Sequence, residues 1–120
     1  MSCLFSSLSY FHNNINTNQM RYIIITHLSK NPVLGGASAS DIIKWETGKQ
    51  LNNYVREMSS LNKWGTAIEI KAYCDLFKTN VKIKSYPSNS YIDFLSESPS
   101  RIWIMISWNG SHYEAINIPR

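Results

Sequence analysis

The chain of 120 residues is 43% hydrophobic and 17% charged, and its four Trp, seven Tyr and four Phe exclude wholesale disorder. Its net charge of +4 comes from scattered basic residues, which argues against a nucleic-acid-binding surface. Its apolar runs fall far short of the ~20 residues that span a bilayer, and two cysteines are too few for a disulfide scaffold. We therefore expect one cytoplasmic, monomeric domain over residues 1–120, without nucleic-acid or membrane partners.

Helices are predicted to fill most of the first two thirds of the chain. Apolar residues at helical spacing predict one helix that begins at Cys3 or Leu4, and three more over residues 19–29, 49–58 and 66–78. An Asn-rich loop over residues 13–18 is expected between the first two helices. Residues 32–47 are expected to form a long connection with a helical turn near 41–45. Thr66 and Glu69 have the spacing of a capping box, which marks the start of the last helix.

Strands are predicted in the last third. Alternating apolar and Lys residues over 81–86 indicate a strand with one solvent-exposed face, and the apolar run over 102–108 indicates a central strand covered on both faces. Asn109-Gly110 is a strong hairpin signal, because both residues accept positive φ in a type I′ turn, so residues 111–118 form the return strand. Helices first and strands late predict an α+β fold.

His112 and Glu114 are the first candidate site residues. Side chains alternate between the two faces of a strand, so these two are expected on one face of the return strand. The carboxylate would then accept the Nδ1–H of the imidazole, which fixes the tautomer and stabilises the imidazolium. On spacing alone, a strand-edge histidine beside a surface glutamate is the commoner arrangement.

Cys3 immediately precedes a helical pattern, where unpaired N–H groups and the helix dipole stabilise a thiolate. With a histidine supplied from elsewhere in the fold, it is a candidate nucleophile, although a buried or terminal thiol is the commoner case. Cys74 lies in mid-helix beside aromatic residues and is expected to be a small buried hydrophobe. A Cys3–Cys74 disulfide would need a secreted protein. His12 and His27 lack partners at ligand spacing, so no zinc site is expected.

Three segments of the chain, taken in order, resemble the motifs of one enzyme family. They are the run CLFSSLS that begins at Cys3, the pattern Tyr-Val-x-x-Met then Trp-Gly-Thr-x-x-Glu-Ile between Tyr54 and Ile70, and the apolar strand followed by His112-Tyr113-Glu114. They are similar to the nucleophile, middle and terminal motifs of the ovarian-tumour (OTU) family of cysteine proteases. The resemblance covers nearly the whole chain.

The resemblance implies a papain-like α+β fold, with a small, mostly antiparallel sheet packed between helices. It also implies hydrolysis of ubiquitin or ubiquitin-like conjugates without a cofactor. By position, Cys3 corresponds to the nucleophile, His112 to the general base, and Glu114 to the usual Asp or Asn. The channel for the C-terminal tail of ubiquitin would be bordered by Trp108, Asn109 and Gly110.

Two features depart from the family pattern. The Asp-Gly-Asn that usually precedes the nucleophile has no counterpart, because the chain begins Met1-Ser2-Cys3, and loss of one oxyanion donor typically costs ~10²–10³ in rate. Glu114 is one methylene longer than Asp. The sequence therefore fits either a domain without its usual N-terminal segment or a less active member, and a domain that binds ubiquitin without cleaving it is the alternative. A nucleic-acid-binding domain would need a clustered positive face.

Overall fold

Five helices and six strands make up the computed structural model, which describes residues 3–116. The helices are α1 (Cys3–Ser9), α2 (Thr17–Ser29), α3 (Ala39–Thr47), α4 (Leu51–Met58) and α5 (Ala67–Phe77). The strands are β1 (Val33–Leu34), β2 (Ala37–Ser38), β3 (Asn80–Ser85), β4 (Ser90–Phe94), β5 (Trp103–Trp108) and β6 (Tyr113–Ile116). The predicted α+β class is confirmed. None of the described helices is long and apolar enough to cross a membrane.

A four-stranded mixed sheet, in the order β4-β3-β5-β6, carries the last third of the described chain. β3 pairs antiparallel with β4, β5 pairs antiparallel with β6, and the central β3–β5 pair is parallel. The sheet is therefore mostly antiparallel, as expected. β4 was not predicted, and it forms an edge of the sheet with largely exposed side chains. The predicted return strand extended to residue 118, and its residues 117 and 118 lie outside the described residues.

The hydrophobic core lies on one face of this sheet. Side chains alternate along a strand, so Val81 and Ile83 of β3 and Ile104 and Ile106 of β5 are buried together. The opposite face stays partly open to solvent, and Trp103 there is 42% exposed. β5 is a central strand, as predicted, but the expectation that both its faces are covered is wrong. The helices contribute their apolar sides to the single covered face.

Two helices begin earlier than their apolar pattern indicated. Asn16 caps α2: its Oδ1 accepts the Gln19 N–H at 2.8 Å, and the Gln19 side chain accepts the Asn16 N–H at 2.9 Å. α2 therefore starts inside the predicted Asn-rich loop. Ser38 likewise caps α3, and Gly48 ends it with a left-handed φ of 74°. α3 is thus a nine-residue helix where only a short turn was expected.

The capping box at the start of α5 is confirmed. The Thr66 hydroxyl accepts the Ile68 N–H at 3.2 Å, and Glu69 Oε1 accepts the Thr66 N–H at 2.7 Å. Both contacts satisfy N–H groups that a helix start leaves without an intrahelical partner. The helix ends before Lys78, which has a positive φ of 48°.

Gly65, just before this cap, lies directly against α1. A Cβ atom at Gly65 would be 3.0 Å from Leu4 Cβ and 3.1 Å from Leu4 Cγ, and closer still to Leu4 Cδ2. Leu4 is buried and follows Cys3 in the chain. The close approach of the Gly65 backbone therefore fixes where the first turn of α1 can lie.

We expect Gly65→Ala to lower the free energy of unfolding by about 1–3 kcal/mol, the usual cost of overpacking. Leu4→Ala removes Cγ and Cδ2, two of the three atoms that the new methyl group would meet, and leaves Cβ, so Gly65→Ala should cost less in that background than in the wild type. Denaturant unfolding of the wild type, both single variants and the double variant measures this coupling. Equal costs in the two backgrounds would show that Gly65 is not constrained by Leu4.

Candidate active site

One cavity connects α1 to the start of β6, which pack against each other. Its volume is about 320 Å³, and it is lined by Cys3, Ser6, Ser7, Tyr10, His112, Tyr113, Glu114 and Ala115. The fold thus brings the beginning and the end of the described chain to one place. Cys3, His112 and Glu114, the three candidate catalytic residues, line this cavity together.

α1 holds Cys3 at the cavity through the burial of its other side. Leu4, Phe5 and Leu8 are buried in the core, whereas Cys3 is half-buried and begins the helix, as predicted. The Ser7 hydroxyl donates a hydrogen bond of 2.7 Å to the Cys3 carbonyl, one helical turn back. The backbone of Cys3 is therefore fixed by packing on one side and by the helix on the other.

His112 lies in the turn between β5 and β6 rather than in the strand itself, because β6 begins at Tyr113. Gly110 has a φ of 98°, and Asn109 does not adopt a positive φ. The predicted type I′ turn, which needs a positive φ at both Asn109 and Gly110, is therefore wrong. Asn109 contributes its side chain instead, since its Oδ1 accepts the N–H of Ser111 at 3.0 Å and that of His112 at 2.8 Å.

Glu114 lies beside the imidazole, as the alternation of side chains predicted. His112 Nε2 is 3.4 Å from Glu114 Oε1, and the two side chains are 50% and 72% exposed. The expectation that the carboxylate faces Nδ1 is wrong, because it faces the distal ring nitrogen, Nε2. Nδ1 is then the ring nitrogen that remains for Cys3. The hydrogen bonds of residues 3–116 include none from Cys3 Sγ to the imidazole, so a direct sulfur–nitrogen pairing stays a prediction.

Trp108, Asn109 and Gly110, which were expected to border a substrate channel, do not line this cavity. Trp108 packs against Tyr113, with ring centres 4.5 Å apart and planes tilted by 34°. The pKa of Tyr113 is raised mainly by burial and, to a smaller extent, by the nearby Cys3 and Glu69. Trp108 therefore supports one wall of the cavity from behind, while a role for these residues in substrate binding stays a prediction.

Ser6, Tyr10 and Tyr113 also form the cavity wall and were not predicted from the sequence. Cys3, Ser6 and Tyr10 are spaced by three and four residues, which places them along one side of a helix and its C-terminal end. This polar stripe faces away from the buried Leu4 and Leu8. The helical spacing therefore held a signal for two of the three residues.

The second cysteine is remote from this chemistry. Cys74 is fully buried, its Sγ lies 3.5 Å from the Phe94 carbonyl oxygen as a hydrogen-bond donor, and burial raises its pKa to about 12. The prediction of a small buried hydrophobe is confirmed. Both cysteines are free thiols, so the alternative of a Cys3–Cys74 disulfide is wrong.

His12 has a structural environment on the helical side of the molecule. Its Nε2 lies 2.7 Å from the Tyr73 hydroxyl, its ring packs on Phe77, and burial lowers its pKa. Within residues 3–116, no group of three or more His, Cys, Asp or Glu side chains is placed to hold a metal ion.

The middle motif forms a buried polar network next to the cavity. The Tyr54 hydroxyl donates to Glu69 Oε2 at 2.6 Å, and the Thr66 hydroxyl donates to Glu69 Oε1 at 2.8 Å. Glu69 has no exposed surface. Burial raises its pKa, although the hydrogen bonds from Tyr54 and Thr66 oppose that change.

Arg21 links this network to α1. Its guanidinium is buried, donates to the carbonyls of Met58 at 3.0 Å and Lys63 at 2.6 Å, and lies 4.3 Å from the centre of the Phe5 ring. Burial lowers the pKa of Arg21, and the nearby Glu69 opposes that change. The 58–63 turn, α2 and α1 are therefore held by one side chain.

A family model described as OTU-like cysteine protease matches residues 2–114 of the sequence. The chain belongs to the OTU-like cysteine protease family. The family resemblance expected from the three motifs is therefore confirmed. No curated protein matches the sequence.

Solved OTU structures share the fold of this OTU domain. An OTU domain in complex with ubiquitin is 23% identical with a TM-score of 0.77, over 95% of this chain and 62% of that one. The Hazara virus OTU bound to ubiquitin is 16% identical with a TM-score of 0.76, over 99% and 76%. The OTU domain of OTUD1 is 14% identical with a TM-score of 0.69, over 95% and 77%. This chain thus spans less than two thirds of the first of these structures, and the likeness establishes the fold.

The buried Glu69 predicts a distinctive pH dependence of stability for this OTU domain. Because burial raises its pKa, the folded state retains the proton to higher pH than the unfolded state, so stability falls as the pH rises above about 4.5 and through the raised value. The Gln side chain of Glu69→Gln does not titrate, so the stability of this variant lacks this pH dependence. We therefore expect the free energy of unfolding of the wild type, relative to Glu69→Gln, to decrease as the pH is raised.

Urea unfolding of both proteins at several pH values measures this difference. Glu46→Gln, at an exposed glutamate, controls for the loss of one acidic group. A wild type whose stability runs parallel to that of Glu69→Gln at every pH would contradict the assignment.

Proposed function

We propose that this OTU domain is a cysteine protease that hydrolyses isopeptide or peptide bonds at the C-terminus of ubiquitin or a ubiquitin-like modifier. The observation that supports the proposal is the shared cavity of Cys3, His112 and Glu114. The family supplies the class of chemistry. Two OTU domains of the same fold are complexes with ubiquitin, which makes ubiquitin the first substrate to test.

In the proposed reaction, the Cys3 thiol gives its proton to His112 and the thiolate attacks the carbonyl carbon of the scissile bond. The imidazolium then donates that proton to the departing amine, which leaves a thioester on Cys3. His112 next removes a proton from water as the water attacks the thioester carbonyl. The imidazolium returns this proton to the departing Cys3 thiolate, which re-forms the thiol, and the released carboxylic acid loses its own proton to solvent.

Glu114 would stabilise the imidazolium that forms in both halves of this cycle. Its carboxylate faces Nε2, so the Nδ1 edge of the ring is available for Cys3 and for the leaving group. Both side chains are about half exposed or more, so solvent screens part of their charge interaction. We therefore assign Glu114 two contributions, a partly screened charge that stabilises the imidazolium and a contact that helps to orient the ring.

A domain that binds ubiquitin without cleaving it is the alternative. The observations that favour it are the 3.4 Å separation of His112 and Glu114 and the lack of a described hydrogen bond from Cys3 Sγ to the imidazole. In ligand-free enzymes, catalytic hydrogen bonds are commonly long and tighten when substrate binds.

We expect a ubiquitin probe with a C-terminal electrophile to form a single adduct, located at Cys3 by peptide mass mapping. Cys3→Ser should abolish the adduct, because it removes the nucleophile. Cys74→Ser should form it normally, because Cys74 is buried with a raised pKa and is the matched control. If calorimetry detects binding of ubiquitin but no adduct forms, the result supports the non-cleaving alternative. If ubiquitin neither binds nor forms an adduct, ubiquitin is excluded as the substrate.

Glu114→Gln should lower the single-turnover rate of cleavage at least about tenfold, because the charge that stabilises the imidazolium is lost. Glu114→Asp should leave the rate similar or higher, because Asp restores the side-chain length usual in the family. A ubiquitin C-terminal substrate, with folding checked for each protein, provides the measurement. Equal rates for all three proteins would show that Glu114 is an ordinary surface residue.

A further inference from the structure

The backbone of His112 is held almost entirely by one residue, Asn109. Its N–H donates to Asn109 Oδ1 at 2.8 Å, and its carbonyl accepts the Asn109 N–H at 3.2 Å. The same Oδ1 also accepts the N–H of Ser111 at 3.0 Å and its hydroxyl at 3.2 Å. Both polar groups of the His112 backbone are therefore bonded to Asn109.

Other support for His112 is weak in the described structure. His112 precedes β6, so the strand ladder, which ends at the Trp108–Tyr113 pair, does not include it. Its side chain is half exposed, and the Glu114 carboxylate that it meets is more exposed still. The direction of the imidazole thus depends on the turn that carries it, and Asn109 defines that turn.

Asn109 is itself well anchored. It follows Trp108, which pairs with Tyr113 in the sheet and packs against its ring. The paired strands β5 and β6 therefore fix the position of Asn109, and Asn109 fixes the backbone of His112. Since Asn109 does not line the cavity, it has no described contact with the space in which substrate would react.

We propose that Asn109 is a positioning residue that fixes the orientation of His112 for acid–base chemistry, rather than a residue that contacts substrate. The proposal rests on the proposed function, because it assigns His112 the role of the base. The chemical requirement is an oxygen that accepts two N–H groups at once. Asp meets that requirement, whereas Ala does not.

Three variants separate positioning from other roles. Asn109→Ala should lower kcat about tenfold with KM nearly unchanged, because orientation is lost and substrate contacts are not. Asn109→Asp should retain most of kcat. Its added negative charge near the imidazole should also shift the acidic limb of the pH–rate profile to higher pH, since it favours the imidazolium. Ser111→Ala is the matched control: it loses only the hydroxyl contact to Oδ1 and should behave like the wild type.

Two measurements do not need catalysis. Hydrogen exchange of the His112 amide should be slow in the wild type and in Asn109→Asp and fast in Asn109→Ala. The imidazole NMR shifts should group the three proteins in the same way. If the wild type neither cleaves ubiquitin nor forms an adduct, the proposed function fails while these readouts still decide whether Asn109 orders His112.

Asn109→Ala with wild-type kcat and imidazole shifts would overturn the proposal, as would Asn109→Asp with the same loss as Asn109→Ala. A rise in KM alone in Asn109→Ala would instead make Asn109 a substrate contact. If Asn109→Ala does not fold, Asn109→Ser, which offers a shorter acceptor, should give values between those of the wild type and a full loss.

Discussion

The buried carboxylate of Glu69 is the constraint on which the arrangement of the helices depends. A carboxyl group removed from water must be satisfied by hydrogen bonds, because an unpaired buried polar group costs more than the bond itself contributes. Tyr54 of α4 and Thr66 at the start of α5 supply those bonds. They can do so only if α4, the turn before α5 and α5 itself meet at one point. The same turn places Gly65 against Leu4, so the network also determines the position of the helix that carries Cys3.

The two halves of the candidate site consequently differ in rigidity. Cys3 begins a helix whose next residues are buried, whereas His112 belongs to an exposed turn at the edge of the sheet. Cys3 is placed by the core of the molecule, and His112 by a few hydrogen bonds within four residues. Tyr113 connects the sheet to the cavity, because its ring packs against Trp108 and it also lines the cavity. Substitutions in the core should therefore act on stability first, and substitutions in the turn on chemistry first.

The features that could be predicted from local sequence patterns are those that depend on interactions between residues near each other in the chain. The Thr66–Glu69 capping box, the buried Cys74 and the start of the first helix at Cys3 depend on neighbours within one or two helical turns. β4 was missed because it is an edge strand with exposed side chains, so burial leaves no alternation in its sequence. The turn type was wrong because Asn109 uses its side-chain oxygen rather than the left-handed backbone that Asn-Gly usually indicates. That Cys3 and His112 line one cavity could be predicted only from family resemblance, since no local pattern relates residues so far apart. Which imidazole nitrogen faces Glu114 depends on the tertiary path of the turn.

The location of the cavity, between α1 and β6, also determines when the site can exist during folding. Contacts between residues near opposite ends of a chain require closure of a very long loop, and such contacts form late because their entropic cost is met before they contribute. β5 pairs in parallel with β3 across the intervening strand β4 of the sequence, and β6 belongs to the same sheet. A partly folded chain could keep its helices and even its Glu69 network while His112 is still far from Cys3. The cavity is therefore a property of the completed fold, and a nascent or damaged molecule would lose it before it is fully unfolded.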